Sequence, residues 1–402
     1  MKFRILVPAV YFALVSICLL APLACKNNYN VGPLSLPTAT PLPVATSTHT
    51  PVPPTPTSTP VASAPPMNIY CTSETSAVTG SGKYSIHYAT QIVPLCSGWV
   101  LYGDLTNNKI QAVNAVYGVV GNSYQLSATP GDLAYDPTTG FLYAALSGAS
   151  FVAKVDLNTG TVTNITLPAQ GVHLAAANNG YLFVSLTTNY NWPGEVISYV
   201  NGNTNTALGA VTIASFNSNA YIACTSAGTT LYVGADGCSN CTTYQYAFNT
   251  STYTLTQQYT ASGTYTTNGK DMSVSPDQNH LVWVNGGGNG NGYTIFDIFT
   301  TDINNTYGAF STGYYPTSGG FSPDSANIAT TNDADLQVFS VSTHAFSKAA
   351  WVGASAGSGG TPYNIYNLEK TRFSRGGGYV FGLDVPTYTT PANSTIDWES
   401  FP

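Results

Sequence analysis

Residues 132–167 read DLAYDPTTGFLYAALSGASFVAKVDLNTGTVTNITL. Four runs stand out: Asp132 to Tyr135, Phe141 to Leu146, Phe151 to Leu157 and Thr161 to Leu167. Each is too short for a stable helix and rich in aromatic, branched or alternating residues, which is strand composition. Asp136-Pro137-Thr138-Thr139-Gly140 and Asn158-Thr159-Gly160 divide them. Pro presets φ for a turn, while Asn and Gly tolerate the positive φ that tight turns need. The stretch therefore reads as four antiparallel strands joined by short turns.

The second run recurs along the chain. Counterparts are Trp99-Val100-Leu101-Tyr102, Tyr181-Leu182-Phe183-Val184, Leu231-Tyr232-Val233, Leu281-Val282-Trp283-Val284, Ile328-Ala329-Thr330 and Tyr379-Val380-Phe381. Aligned on Leu101, Leu142, Leu182, Leu231, Leu281, Ile328 and Val380, they are separated by 41, 40, 49, 50, 47 and 52 residues. A four-stranded unit repeated at that interval is the signature of a β-propeller. The expected fold is all-β, a seven-bladed propeller spanning 68–402, with six or eight blades as the alternatives. Ser275-Pro276-Asp277 and Ser322-Pro323-Asp324 take the place of the first turn in units five and six. These turns, each followed by an aliphatic strand, together with Val152-Ala153-Lys154-Val155-Asp156 and Val338-Phe339-Ser340-Val341, resemble the bacterial YVTN-type β-propeller repeats. The resemblance covers roughly 130–345. It implies the propeller fold, but it leaves function open, because that family includes surface proteins, lactonases and electron-transfer subunits.

The seventh unit has two strands, near Asn367 to Phe373 and Gly378 to Leu383, and little chain after Asp384. Lys83 to Tyr88 precedes the first unit as a spare strand. It is expected to complete the last blade and close the ring, removing exposed edges.

Ahead of the propeller lie two segments of another kind. Lys2 and Arg4 precede an apolar run from Ile5 to Ala24, which reads as a signal peptide over 1–24. Leu20-Ala21-Pro22-Leu23-Ala24-Cys25 resembles a bacterial lipoprotein signal, which makes Cys25 the lipidated residue, although Pro22 departs from the usual aliphatic position. Plain secretion and an uncleaved anchor are the alternatives. Residues 33–66 hold 11 of the 25 prolines and no acid, Lys or Arg. Such a chain extends as polyproline II at about 3.1 Å per residue, making 25–67 a lipid-anchored stalk. The expected location is the bacterial cell envelope, outside the cytoplasm, with the membrane reached by the lipid anchor alone.

Composition narrows the function classes. Only 7% of the 402 residues are charged, 11 basic against 18 acidic, where about 25% is usual. Eleven scattered cations cannot neutralise a nucleic-acid backbone, so nucleic acid is excluded as a partner. Five further cysteines, Cys71, Cys96, Cys224, Cys238 and Cys241, suit disulfides in an oxidising compartment. Cys71 with Cys96 is the expected staple for the closing segment, and two of the other three are expected to pair. Cys238-Ser239-Asn240-Cys241 alone is too few ligands for zinc. No nucleophile elbow, zinc-binding helix or dinucleotide loop is present, and no metal or cofactor is expected.

Two sets of candidate binding residues remain. The position four residues before the first turn of each unit reads Gln91, Asp132, His173, Tyr221, Asp271, Ser318 and Lys370. These should begin the innermost strands and ring the mouth of the central channel, as a small-molecule site or as a polar water channel. The later units also gain residues between strands two and three and between one blade and the next. Those connections carry Tyr190, Trp192, Tyr265, Tyr314, Tyr315, Tyr363 and Tyr366. Aromatics with little charge on one loop face suit a glycan or protein partner. The expected function is a surface-displayed binding module. A lactonase-like hydrolase or lyase using the channel mouth, or a purely structural surface protein, are the alternatives.

Overall fold

The computed structural model describes residues 63–74, 76–187, 196–213, 219–235, 242–261, 269–285, 293–298, 303, 306–310, 316–331, 336–350, 366–386 and 393–401. Among them there is no α-helix. The strands form seven antiparallel sheets of four. Blades one to six take consecutive quartets of strands, and their innermost strands are Ile92–Pro94, Pro130–Asp136, Gly171–Ala176, Ala220–Cys224, Gly269–Val274 and Gly319–Phe321. In blade two the strands are Pro130–Asp136, Phe141–Leu146, Phe151–Asp156 and Thr161–Thr166, within two residues of the sequence reading throughout.

The anchor residues explain why the repeat is visible. Leu101, Leu142, Leu182, Leu231, Leu281, Ile328 and Val380 all sit on second strands, and none is more than 1% exposed. A second strand is covered on both faces because the blades stack side by side, so it reads as an unbroken apolar run instead of an alternating one. Blade five shows the division of labour. Leu281 and Trp283 join Tyr232 of blade four, while Val282 and Val284 join Phe321 and Ile328 of blade six. Among the described residues there are seven such apolar clusters, one at each seam, including the seam between blade seven and blade one, where Phe381 and Leu383 meet Val100 and Tyr102.

The ring closes as expected. Blade seven consists of Tyr366–Phe373, Tyr379–Pro386 and Ser394–Ser400, with Ser81–Ile86 as its fourth, outermost strand. The pairing is antiparallel, from Ser81 opposite Glu399 to Ile86 opposite Ser394. Ile86 is buried in the blade seven–blade one cluster.

Before that strand, residues 65–74 run as a strap along the face of the ring that carries the first turns. Trp99 Nε1 donates to the Pro65 carbonyl at 2.8 Å, and Ile69 packs with Leu95, Leu101 and Leu142. Tyr70 Oη donates to Asn158 Oδ1 at 2.6 Å, and a disulfide joins Cys71 to Cys96.

The strap then reaches blade seven by imitating a turn. In blades five and six, Ser275 and Ser322 donate their hydroxyls to Asp277 and Asp324 at 2.5 Å and accept the amides of His280 and Asn327 at 2.9 Å. Blade seven has Ser374 in this position, accepting the Tyr379 amide at 3.0 Å, but Gly376 where the aspartate would be. Glu74 of the strap supplies the missing carboxylate. Its Oε1 accepts the Ser374 hydroxyl and the Gly378 amide, the latter at 3.2 Å. A side chain on Gly376 would collide with Glu74, whose Cγ lies 2.5 Å from the position a Cβ would take.

Candidate functional site

Innermost strands begin at the mouth face, where one blade passes to the next, and end at the first turns. Five of the seven predicted mouth residues, Asp132, His173, Tyr221, Asp271 and Lys370, line one central cavity of roughly 270 Å³. Gln91 and Ser318 do not. The four-residue count assumed inner strands of equal length, but those of blades one and six are only Ile92–Pro94 and Gly319–Phe321. Gln91 therefore falls outside the strand, and Ile92, Val93 and Pro94 line the cavity instead. Ser318 is fully buried behind the wall and acts on it from there.

Asp271 is the hub. Arg372 grips it with a two-pronged ion pair, Nη1 to Oδ2 at 2.8 Å and Nη2 to Oδ1 at 3.2 Å. Lys370 Nζ lies 3.1 Å from Oδ1. Ser318 Oγ donates to Oδ2 at 2.8 Å, and the amides of Gly319 and Met272 donate to Oδ2 and Oδ1. Burial alone would raise the pKa of this carboxyl, but the Arg372 guanidinium and the Lys370 ammonium outweigh it and hold the group far below the usual carboxylate range. Asp271 is thus a fixed anion that orients two cations.

Asp132 forms the second centre. It accepts the amides of Leu174 and Leu133 at 2.9 and 3.0 Å, and its Oδ2 stands 3.6 Å from His173 Nδ1. Burial again pushes its pKa upward, yet His173 and Lys370 bring it below the ordinary value. The His173 ring lies on Tyr221, centroids 4.1 Å apart and tilted by 32°. An imidazole held between a carboxylate and an aromatic face has the form of a proton-transfer group.

Arg372, Arg375 and Tyr135 also line the cavity and were not singled out in the sequence. Arg372 was within reach, because alternate residues of a strand share a face and it stands two after Lys370. Arg375 and Tyr135 had no such signal. Their guanidinium and ring lie 5.5 Å apart, and both are tied to the strap. Arg375 Nε donates to the Cys71 carbonyl at 3.3 Å, and Tyr135 Oη donates to the Ile69 carbonyl. The strap thereby backs the cavity at the turn face.

Of the loop-face candidates, Tyr190, Trp192, Tyr265, Tyr314, Tyr315 and Tyr363 lie outside the described residues. Tyr366 is not in a loop; it opens the innermost strand of blade seven, paired with Pro386. The long intervals 187–195, 236–242, 286–292 and 387–393 separate second from third strands. The intervals 262–268, 311–318 and 351–365 separate one blade from the next. The strand ends that flank these intervals lie at the mouth face, whereas the opposite face carries short turns such as 137–140 and 177–180.

The expected Cys71–Cys96 disulfide is present. Cys224 is a free thiol whose pKa burial pushes up to about 12, so it is unreactive at neutral pH. Cys238, Cys241 and the lipidation candidate Cys25 lie outside the described residues. Among the described residues no three His, Cys, Asp or Glu side chains cluster as a metal site, and no helix is long and apolar enough to cross a membrane.

Fold and site together define a β-propeller with a charged central cavity. No family model matches the chain, and no curated protein matches it. Among solved structures it is similar to the hydrazine synthase of Kuenenia stuttgartiensis, with 11% identity and a TM-score of 0.56 over 75% of this chain and 96% of that one. It is also similar to a chain of the mitotic checkpoint complex, with 16% identity and a TM-score of 0.58 over 88% of this chain and all of the other. At these identities the likeness is one of fold.

Proposed function

We propose that this chain is a YVTN-type propeller lipoprotein of the bacterial envelope, held through Cys25 and its proline-rich stalk, and that its propeller binds a protein or glycan partner on the mouth face. The observation that carries this reading is the uneven length of the intervals between the described strands: eight of the nine that reach seven residues join second to third strands or one blade to the next, the exception being 298–305 between a third and a fourth strand. Binding surfaces are commonly loops borne on one side of a rigid scaffold, and the loops here are rich in Tyr, Asn and Trp.

The test is a partner screen, by glycan array and by crosslinking on intact cells, followed by variants. Trp192→Ala or Tyr315→Ala should weaken binding by about 1–3 kcal/mol without changing the melting temperature. Unchanged affinity in both would exclude the loop face. The pairing of Asp132 with His173 favours a second reading, the lactonase-like hydrolase. There Asp132→Asn and His173→Ala would abolish turnover of a lactone panel while the loop variants alter only apparent affinity.

Anchoring has its own expected result. Cys25→Ser should release the protein from membranes and remove palmitate labelling, because acyl chains and not the stalk would hold it there. Retention of label in that variant would rule out the lipoprotein assignment.

A further inference from the structure

In the central cavity cationic donors outnumber the carboxylate acceptors that could take them. Asp271 accepts from Lys370, Arg372, Ser318 and two amides, and Asp132 from two amides with His173 beside it. Lys370 has three N–H groups and directs one to Asp271. Arg375 gives its Nε to the Cys71 carbonyl, while its two terminal amino groups meet no acceptor among the described residues. The lining holds three basic side chains, Lys370, Arg372 and Arg375, against the two carboxylates Asp132 and Asp271. Asp136, close to Arg375, stands outside the lining with its oxygens on the amides of Thr138, Thr139 and Gly180.

A site with surplus cationic donors, its most buried carboxylate already saturated, favours an acceptor-rich, negatively charged guest. From this inventory we infer that the cavity binds a small organic oxyanion, its carboxylate or phosphate oxygens received by Lys370 and Arg375 with His173 beside them. At ~30 Å³ per water, the cavity holds roughly nine waters, the scale of a short dicarboxylate and not of a sugar chain. This site lies inside the ring and is separate from the partner surface proposed for the loops.

The test is calorimetry on the full chain at low ionic strength, with succinate, inorganic phosphate and uncharged succinamide as probes. Succinate or phosphate should bind and succinamide should not; the oxyanion that binds more tightly identifies the source. Lys370→Met should weaken that binding at least tenfold, whereas Lys109→Met, which removes a cation from blade one, should leave it unchanged. Trp192→Ala should also leave it unchanged, so that failure of the loop-face reading and failure of this one are told apart. The inference is overturned if neither oxyanion binds, if succinamide binds as well as succinate, or if Lys370→Met binds like the parent. Should Lys370→Met not fold, the comparison of succinate with succinamide on the unaltered chain decides.

Discussion

A chain lacking residues 1–86 is expected not to fold, whereas one lacking only 1–62 should melt as cooperatively as the parent. The longer deletion removes the outermost strand of blade seven, leaving Ser394–Ser400 as an unpaired edge. It also removes Ile86 and Ile69 from two apolar clusters, the Glu74 carboxylate from Ser374, and the Cys71–Cys96 cross-link. A disulfide closing a loop of this size is worth about 3 kcal/mol, and a buried isoleucine about 2–3 kcal/mol. Against a typical total of about 5–15 kcal/mol, losing all of these leaves no margin. Circular dichroism and calorimetry on the two truncations check this; a cooperative transition at the parent temperature in the longer deletion would show that the ring does not depend on its first strand.

The second large effect is electrostatic and lies in the same blade. Asp397 is fully buried on the third strand, opposite Lys83 of the closing strand, and Asp384 is buried on the strand beside it. The cation beside them among the described residues, Lys83 Nζ, is 3.6 Å from Asp397 and half exposed. Burial raises the Asp397 pKa to about 7, with Lys83 opposing and Asp384 reinforcing the rise, and burial raises Asp384 to about 6. Both values lie above those of the unfolded chain. The neutral forms therefore favour the fold: their contribution is complete below about pH 4 and is lost as pH rises through 6 and 7. Asp397→Asn, which keeps the shape without the charge, should raise stability at pH 8 by on the order of a few kcal/mol and change little at pH 4. Melting curves of parent and variant across that range give the answer; a gain that is the same at both ends would mean that the carboxylate does not titrate as described.

Much of the architecture could be read from the chain because a propeller repeats its demands. Leu101, Leu142, Leu182, Leu231, Leu281, Ile328 and Val380 occupy one structural position with one requirement, full burial on both faces, and that requirement printed the same short apolar run seven times. The mouth residues followed by counting, and the count failed where a blade broke the rule of equal strands, at Gln91 and Ser318. What could not be read were contacts made across the ring. Glu74 serves a turn 300 residues away, and nothing in Thr72-Ser73-Glu74 marks it as the replacement for an aspartate absent at Gly376. Arg375 and Tyr135 become part of the cavity because the strap holds them, and the strap has no periodicity to announce it.

The closing strand also sets an order of events. Ser81 pairs with Glu399, so one of the first parts of the domain to be synthesised finds its partner only when the last has emerged. Contacts this distant in sequence are slow to form, and until then an incomplete arc of blades carries open edges at both ends, which are liable to join other chains. A protein that crosses a membrane as an unfolded thread meets this condition without penalty, since nothing is required to finish folding before export is done. Ring closure then becomes a check on completeness: a chain cut short at its C-terminus leaves its own N-terminal strand without a partner and stays an open arc, exposed to proteases.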